Sequence, residues 1–206
     1  MINSIYIILG SFTMSSITAY VLCYINNYPF INPYITKEER VIKINDYIRN
    51  IPILLCQSTS LMYIVSGNII PYEQHTYIDS CLTITSYCIL IELFYYIYHR
   101  FIHKYYYGYI HKKHHTNVIV YPIDTFFLTN LDDLASIFAI GYPITFIKIT
   151  ALEQTFILYL YITSSYLSHS ELYWHHHSIH HKLLKYNYCI LFPIFDIIFG
   201  TYKYDL

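Results

Sequence analysis

Eleven of the twelve histidines in this 206-residue chain lie between residues 99 and 181, leaving only His75 outside. They come in bursts: "HRFIH" at 99–103, "HKKHH" at 111–115, "SHSELY" around His169 and "HHHSIHH" at 175–181. On a helix, positions i, i+3 and i+4 share a face. His99 and His103 stand at i and i+4, while His111, His114 and His115 stand at i, i+3 and i+4, as do His177, His180 and His181. Each burst can therefore aim two or three imidazoles at one point. Three such helices brought together enclose about eight nitrogens, enough for two metal ions. His169 is the natural ninth ligand, and His175 and His176 stand beside the last burst as further candidate ligands or as supports for them.

Neutral imidazole suits iron, copper, zinc and nickel. A ligand set without thiolates is not that of a structural zinc finger. The Glu-x-x-His pairs of soluble di-iron bundles are absent as well. Ligation requires the neutral ring, so a solvent-accessible site of this kind would release its metal below about pH 6.

The elements that position these histidines are apolar. The chain is 55% hydrophobic and 19% aromatic but only 12% charged, about half the charge of a typical soluble domain. Its mean hydropathy is +0.35. A net charge of −1 gives no basic excess, which excludes nucleic acid as the expected partner. The five cysteines form no CxxC pair and read as small hydrophobes.

Crossing a bilayer takes about 20 apolar residues. Residues 2–25, about 47–70 and about 78–98 come close, with Pro52 placed in a first helical turn. Residues 2–25 lack a charged leader and a small-residue cleavage site, so they are expected to be a retained helix. The shorter stretches 134–150 and 154–168 are expected to form a tilted hairpin that dips into the bilayer. The predicted fold is an all-α polytopic membrane bundle of about four transmembrane helices with a cytosolic histidine-rich helical cap. It forms one membrane domain over 1–206: residues 1–91 supply membrane helices and a basic cytosolic loop, and 92–206 hold the histidine bursts. Lys37, Arg40, Lys43 and Arg49 follow the first span, and Arg100, Lys104, Lys112 and Lys113 follow the third. The positive-inside rule puts both groups, and with them every histidine burst, in the cytosol.

The ordered set "HRFIH…HKKHH…HS…HSIHH" resembles the fatty acid hydroxylase superfamily of membrane enzymes, which includes sterol desaturases, sterol C-4 methyl oxidases and sphingolipid hydroxylases. Other positions agree in order. Glu92 and Tyr96 resemble the acidic residue and tyrosine of the family's lead-in, and "YPID" at 121–124 resembles its "HP-x-E/D" element. "YNY" at 186–188 and "DIIFGTY" at 196–202 resemble its closing motifs. The family's histidine before Pro122 is Tyr121 here, and glycines of two other motifs are Glu171 and Cys189.

The resemblance implies two iron ions in a non-haem di-iron centre and O₂ as cosubstrate, with zinc a candidate occupant after purification. It implies a sterol, fatty acyl or sphingoid lipid as substrate, and electrons from a cytochrome b5-type donor and its reductase. The expected location is the endoplasmic reticulum membrane. By the same resemblance His99, His103, His111, His114, His115, His169, His177, His180 and His181 bind metal, with His175, His176 and Tyr121 as further candidates. Glu92 lies seven positions before His99 on the same helix face and is expected to accept a ring N–H from a ligand histidine. Asp124 and Asp196 are expected in similar supporting roles, and Asn187 is expected to brace the last histidine helix from its end. The alternatives are a non-enzymatic membrane metal-binding or transport protein, or an inactive family member.

Overall fold

The computed structural model describes residues 2–71, 74–173 and 175–204, with side chains from Ser4 onward. The chain is 73% helical. Its helices are α1 (Ile2–Ile25), α2 (Lys37–Ile64), α3 (Tyr77–Tyr105), α4 (Asn130–Gly141), α5 (Ala151–Ser168), α6 (His175–Leu183) and α7 (Ile194–Ile198). Two two-residue strands, β1 (Ile69–Ile70) and β2 (Ile149–Thr150), pair in parallel at the end of the bundle away from the histidines.

Among the described residues two helices, α1 and α3, are long and apolar enough to cross a membrane. Their outward faces carry large apolar side chains, including Tyr6, Met14, Ile17 and Tyr24 on α1 and Ile78, Leu82 and Ile97 on α3. One buried stripe of α1 is small, formed by Ser4, Ser11, Ser15, Ala19 and Cys23. This stripe lets α5 approach closely, and Ser11 and Ser15 donate to the carbonyls of Thr155 and Tyr159 on that helix.

The second apolar segment differs from its expected bounds. α2 begins ten residues earlier, at Lys37, because Thr36 and Glu39 close a capping box there. Pro52 consequently lies inside the helix and not in its first turn. The early start carries the basic residues of α2 to the histidine end of the bundle. Lys43 forms a buried ion pair with Asp124, and Lys113 bonds Asp46 at 2.7 Å. In the predicted hairpin the first segment is helical over only part of its length. α4 has 12 residues, about 18 Å of helix, and is too short to cross a hydrocarbon core of about 30 Å. A 3₁₀ turn over Tyr142–Thr145 and strand β2 then lead into the 18-residue α5. Gly141 marks a close approach of α4 to α2, since a Cβ there would lie 2.9 Å from Leu61 Cδ2.

Candidate metal centre

Four segments deliver the histidines to one end of the bundle. α3 continues through the first burst, so His99 and His103 share a helix face as expected. The second burst is not a regular helix: His111 closes a π turn (Tyr107–His111), while His114 and His115 lie in a 3₁₀ turn (His114–Thr116). This tight path folds the chain back over α3. His169 caps α5, and His177, His180 and His181 lie on the nine-residue α6.

These side chains converge in two groups. His99, His103, His111, His115 and His180 form one, and His114, His169, His177 and His181 form the other; within each, the ligand atoms lie within 4.8 Å of one another. His103 is half-buried and the other eight are buried. In the five-membered group His99 Nε2 lies 3.0 Å from His111 Nε2, and His180 Nε2 lies 3.0 and 3.2 Å from those of His103 and His115. In the four-membered group His114 Nε2 lies 3.1 Å from His181 Nε2 and 3.3 Å from His169 Nε2.

The outer ring nitrogens fix the tautomers. His99 Nδ1 donates to the Tyr188 carbonyl, His180 Nδ1 to that of Tyr186, His181 Nδ1 to that of Asn117 and His169 Nδ1 to that of Ser165. His111 Nδ1 donates to the Asp132 carboxylate at 2.7 Å. A neutral imidazole holding its proton on Nδ1 has only a lone pair on Nε2. At His99 and His111 two lone pairs therefore face each other at 3.0 Å, where no hydrogen bond can form between them. Such a pair repels unless a cation sits between its members. The donor set fits metal ions, and the Asp132–His111 pair is the carboxylate support that metal-bound histidines commonly have.

Electrostatics favours the neutral, ligating form. Burial, reinforced by neighbouring imidazoles, holds His111, His114, His177, His180 and His181 well below the ordinary imidazole value. His169 is lowered to about 4, chiefly by burial. Release of metal at about pH 6 was the expectation for exposed imidazoles; these are buried, and protons compete only at lower pH.

The supporting carboxylates differ from expectation. Glu92 touches no histidine. Seven residues of helix separate it from His99 by about 10 Å along the axis, and its carboxylate instead accepts from the Tyr161 hydroxyl and the amides of Ile190, Leu191 and Phe192. Asp196 accepts from the amides of Tyr188 and Cys189 and from the Thr201 hydroxyl. Two carboxylates thus satisfy five consecutive amides, 188–192, in a segment that is neither helix nor strand. That segment presents the Tyr188 carbonyl to His99 and the Ile190 carbonyl to His176.

Asp124 takes the Lys43 ammonium, the Asn117 side-chain amide and the Tyr121 backbone amide, which fixes the loop whose Asn117 carbonyl holds His181. Asn187, at a left-handed φ of 60°, donates to the carbonyls of His176 and Lys203 and so ties α6 to the C-terminal segment. Among the further candidate ligands, His175 is exposed. His176 is spent on Ile190, and Tyr121 packs on the Tyr28 ring; none of the three joins either group. Asp132 was missed because an acidic residue three positions after Thr129 reads as an ordinary helix cap, a role its backbone also fills.

A mostly apolar cavity of about 140 Å³ adjoins the centre. His111, His114, His169 and His177 line one end, and its walls come from α1, α2, α4 and α5, with Gln154 on α5 marking the far end.

No curated protein and no solved structure matches the chain significantly. The fatty acid hydroxylase family profile matches residues 84–201, more than half of the chain, and takes in both histidine groups together with Glu92, Asp132 and Asp196. With its paired histidine groups and that match, the chain belongs to the fatty acid hydroxylase family, a membrane-associated and generally iron-dependent family of oxidoreductases.

Proposed function

We propose that this protein is a membrane-bound lipid oxidoreductase in which two irons, one in each histidine group, use O₂ to hydroxylate or desaturate a lipid. The observation that carries this reading is the facing of Nε2 lone pairs across two adjacent buried groups, one end of which opens on an apolar cavity. When bound, the irons would supply a redox couple able to activate O₂, which zinc cannot supply.

The chain's own residues do the rest. Asp132 and the carbonyls of Tyr188, Tyr186, Asn117 and Ser165 hold the ring protons on Nδ1 and aim the lone pairs inward. The apolar walls exclude water and admit a hydrocarbon. A metal store or carrier has no use for a hydrocarbon chamber against its ligands, which favours the enzyme. The fold is read as a multi-pass protein of the endoplasmic reticulum with the histidine end in the cytosol. There a cytochrome b5-type donor and its reductase would deliver electrons.

Lipid profiling of a eukaryotic host tests the proposal. Expression with iron should yield an oxidised lipid that the His114→Ala protein does not make, with both proteins equally inserted in the membrane. Unchanged lipid profiles in the presence of two bound irons would refute it.

A further inference from the structure

The cavity holds a polar group that the centre does not use. Asp133 is 1% exposed and lines the cavity wall, and neither of its carboxylate oxygens has a hydrogen-bond partner among the described residues. Its neighbours are committed elsewhere. Asp132 serves His111, and the Thr129 hydroxyl donates to the Ile110 carbonyl. Lys113, the cation whose field reaches Asp133, is bonded to Asp46 and to the Leu128 carbonyl. A buried carboxylate without donors is costly, so a site built around one is built to receive donors.

The surrounding shape narrows what those donors belong to. On α5 the cavity follows Gln154, Leu158, Tyr161, Ser165 and His169, one face of the helix over about 22 Å. A mostly apolar lining that runs along one helix face over that length suits an extended hydrocarbon chain. Asp133 lies at the histidine end, one residue past the partner of His111.

We propose that Asp133 anchors the head of the substrate, a single-chain lipid bearing hydroxyl, amide or ammonium donors, whose tail lies along α5 toward Gln154. In its ionised form the anchor selects against a free fatty acid, because that head is an anion and offers no donor to a carboxylate. It also places the carbons nearest the head beside the histidines. The choice of reacting carbon rests on the lipid-oxidase reading, whereas the head-group preference rests on the cavity alone.

Binding to the metal-free, full-length protein in nanodiscs tests the preference. The probes are tritiated cetyl alcohol, hexadecylamine, palmitate and hexadecane, which share one chain length. The wild type should bind the alcohol and the amine about ten- to a hundredfold more tightly than palmitate or hexadecane, the order that one hydrogen bond to a charged acceptor supplies. Asp133→Leu should erase this preference while leaving hexadecane binding unchanged. Asp133→Asn, which keeps an acceptor and a similar shape, should still bind the alcohol, lose the amine preference and admit palmitate about tenfold better. Equal binding of alcohol and hexadecane by the wild type, or a preference that survives in both variants, overturns the assignment. No oxidation enters this assay, so its failure leaves the lipid-oxidase reading standing. Conversely, lipid oxidation by His114→Ala would overturn that reading and leave the head-group preference intact.

Discussion

The two histidine groups adjoin each other but are built differently. In the five-membered group three outer nitrogens are tied down, one of them to the carboxylate of Asp132, while His115 Nδ1 has no partner among the described residues. In the four-membered group only His169 and His181 are tied, both to carbonyls, while His114 Nδ1 and His177 Nδ1 have no partner among the described residues. Three of the four members line the cavity, against one of the five. The first group is thus the better anchored, and the second faces the chamber. A ligand set held by a carboxylate binds its ion more firmly and passes it more electron density. One more loosely held can shift as a substrate enters.

The largest expected effect separates the groups outright. His114→Ala should abolish product formation and reduce bound iron from two equivalents toward one, whereas His180→Ala should empty the other group; elemental analysis alongside product assay reads both. Identical metal loss in the two variants would mean that the groups act as one. Next in size, Asp132→Asn should weaken the five-membered group by about 10- to 100-fold, seen as earlier release of one equivalent during chelator titration. In the wild type the same titration should show the four-membered group emptying first.

Glu92→Gln should separate a structural carboxylate from a metal-supporting one. It removes the charge that gathers three backbone amides and the Tyr161 hydroxyl. The expected cost is about 1–3 kcal/mol of stability, measured as a lower unfolding temperature with metal content unchanged. A selective loss of iron in this variant would contradict the geometry.

The pH dependence bears on both groups together. The folded histidines are held below their unfolded value of about 6.5. As pH falls below that value the unfolded chain takes up protons that the fold refuses, so the metal-free protein should lose stability from about pH 6.5 downward. Thermal unfolding from about pH 7.5 to about pH 5 checks the sign; a flat profile would mean that the rings take up protons in the fold as readily as in the unfolded chain. The smallest effect is expected from Thr36→Ala, about 1 kcal/mol of unfolding free energy through the lost cap of α2, with no change at either group.

Much of the site was legible in the sequence because imidazoles are few and their spacing is periodic. All nine histidines named as ligands meet in the two groups. What periodicity could not reveal was the backbone joining them. The i, i+3, i+4 spacing of His111, His114 and His115 is met here by a π turn and a 3₁₀ turn, which point side chains inward as well as a helix would. Glu92 stood out in the sequence as a carboxylate inside an apolar helix but its partners did not, since the amides of 190–192 come from about a hundred residues away and carry no side-chain signature. Asp132 and Asp133 carry no distinguishing spacing in the sequence, and their burial is what sets them apart. The start of α2 could have been read from the Thr36–Glu39 capping pattern, but hydropathy pointed to a later residue.

The chamber draws its walls from both halves of the chain, whereas both histidine groups fall within residues 84–201. Ile8 and Phe12 on α1, and Leu55 and Met62 on α2, shape the room without touching the chemistry. The α1 and α2 side of the wall can therefore change without altering either histidine group. Exchanging α1 and α2 with those of a relative should transplant a taste for a different lipid and leave the oxidant as it was.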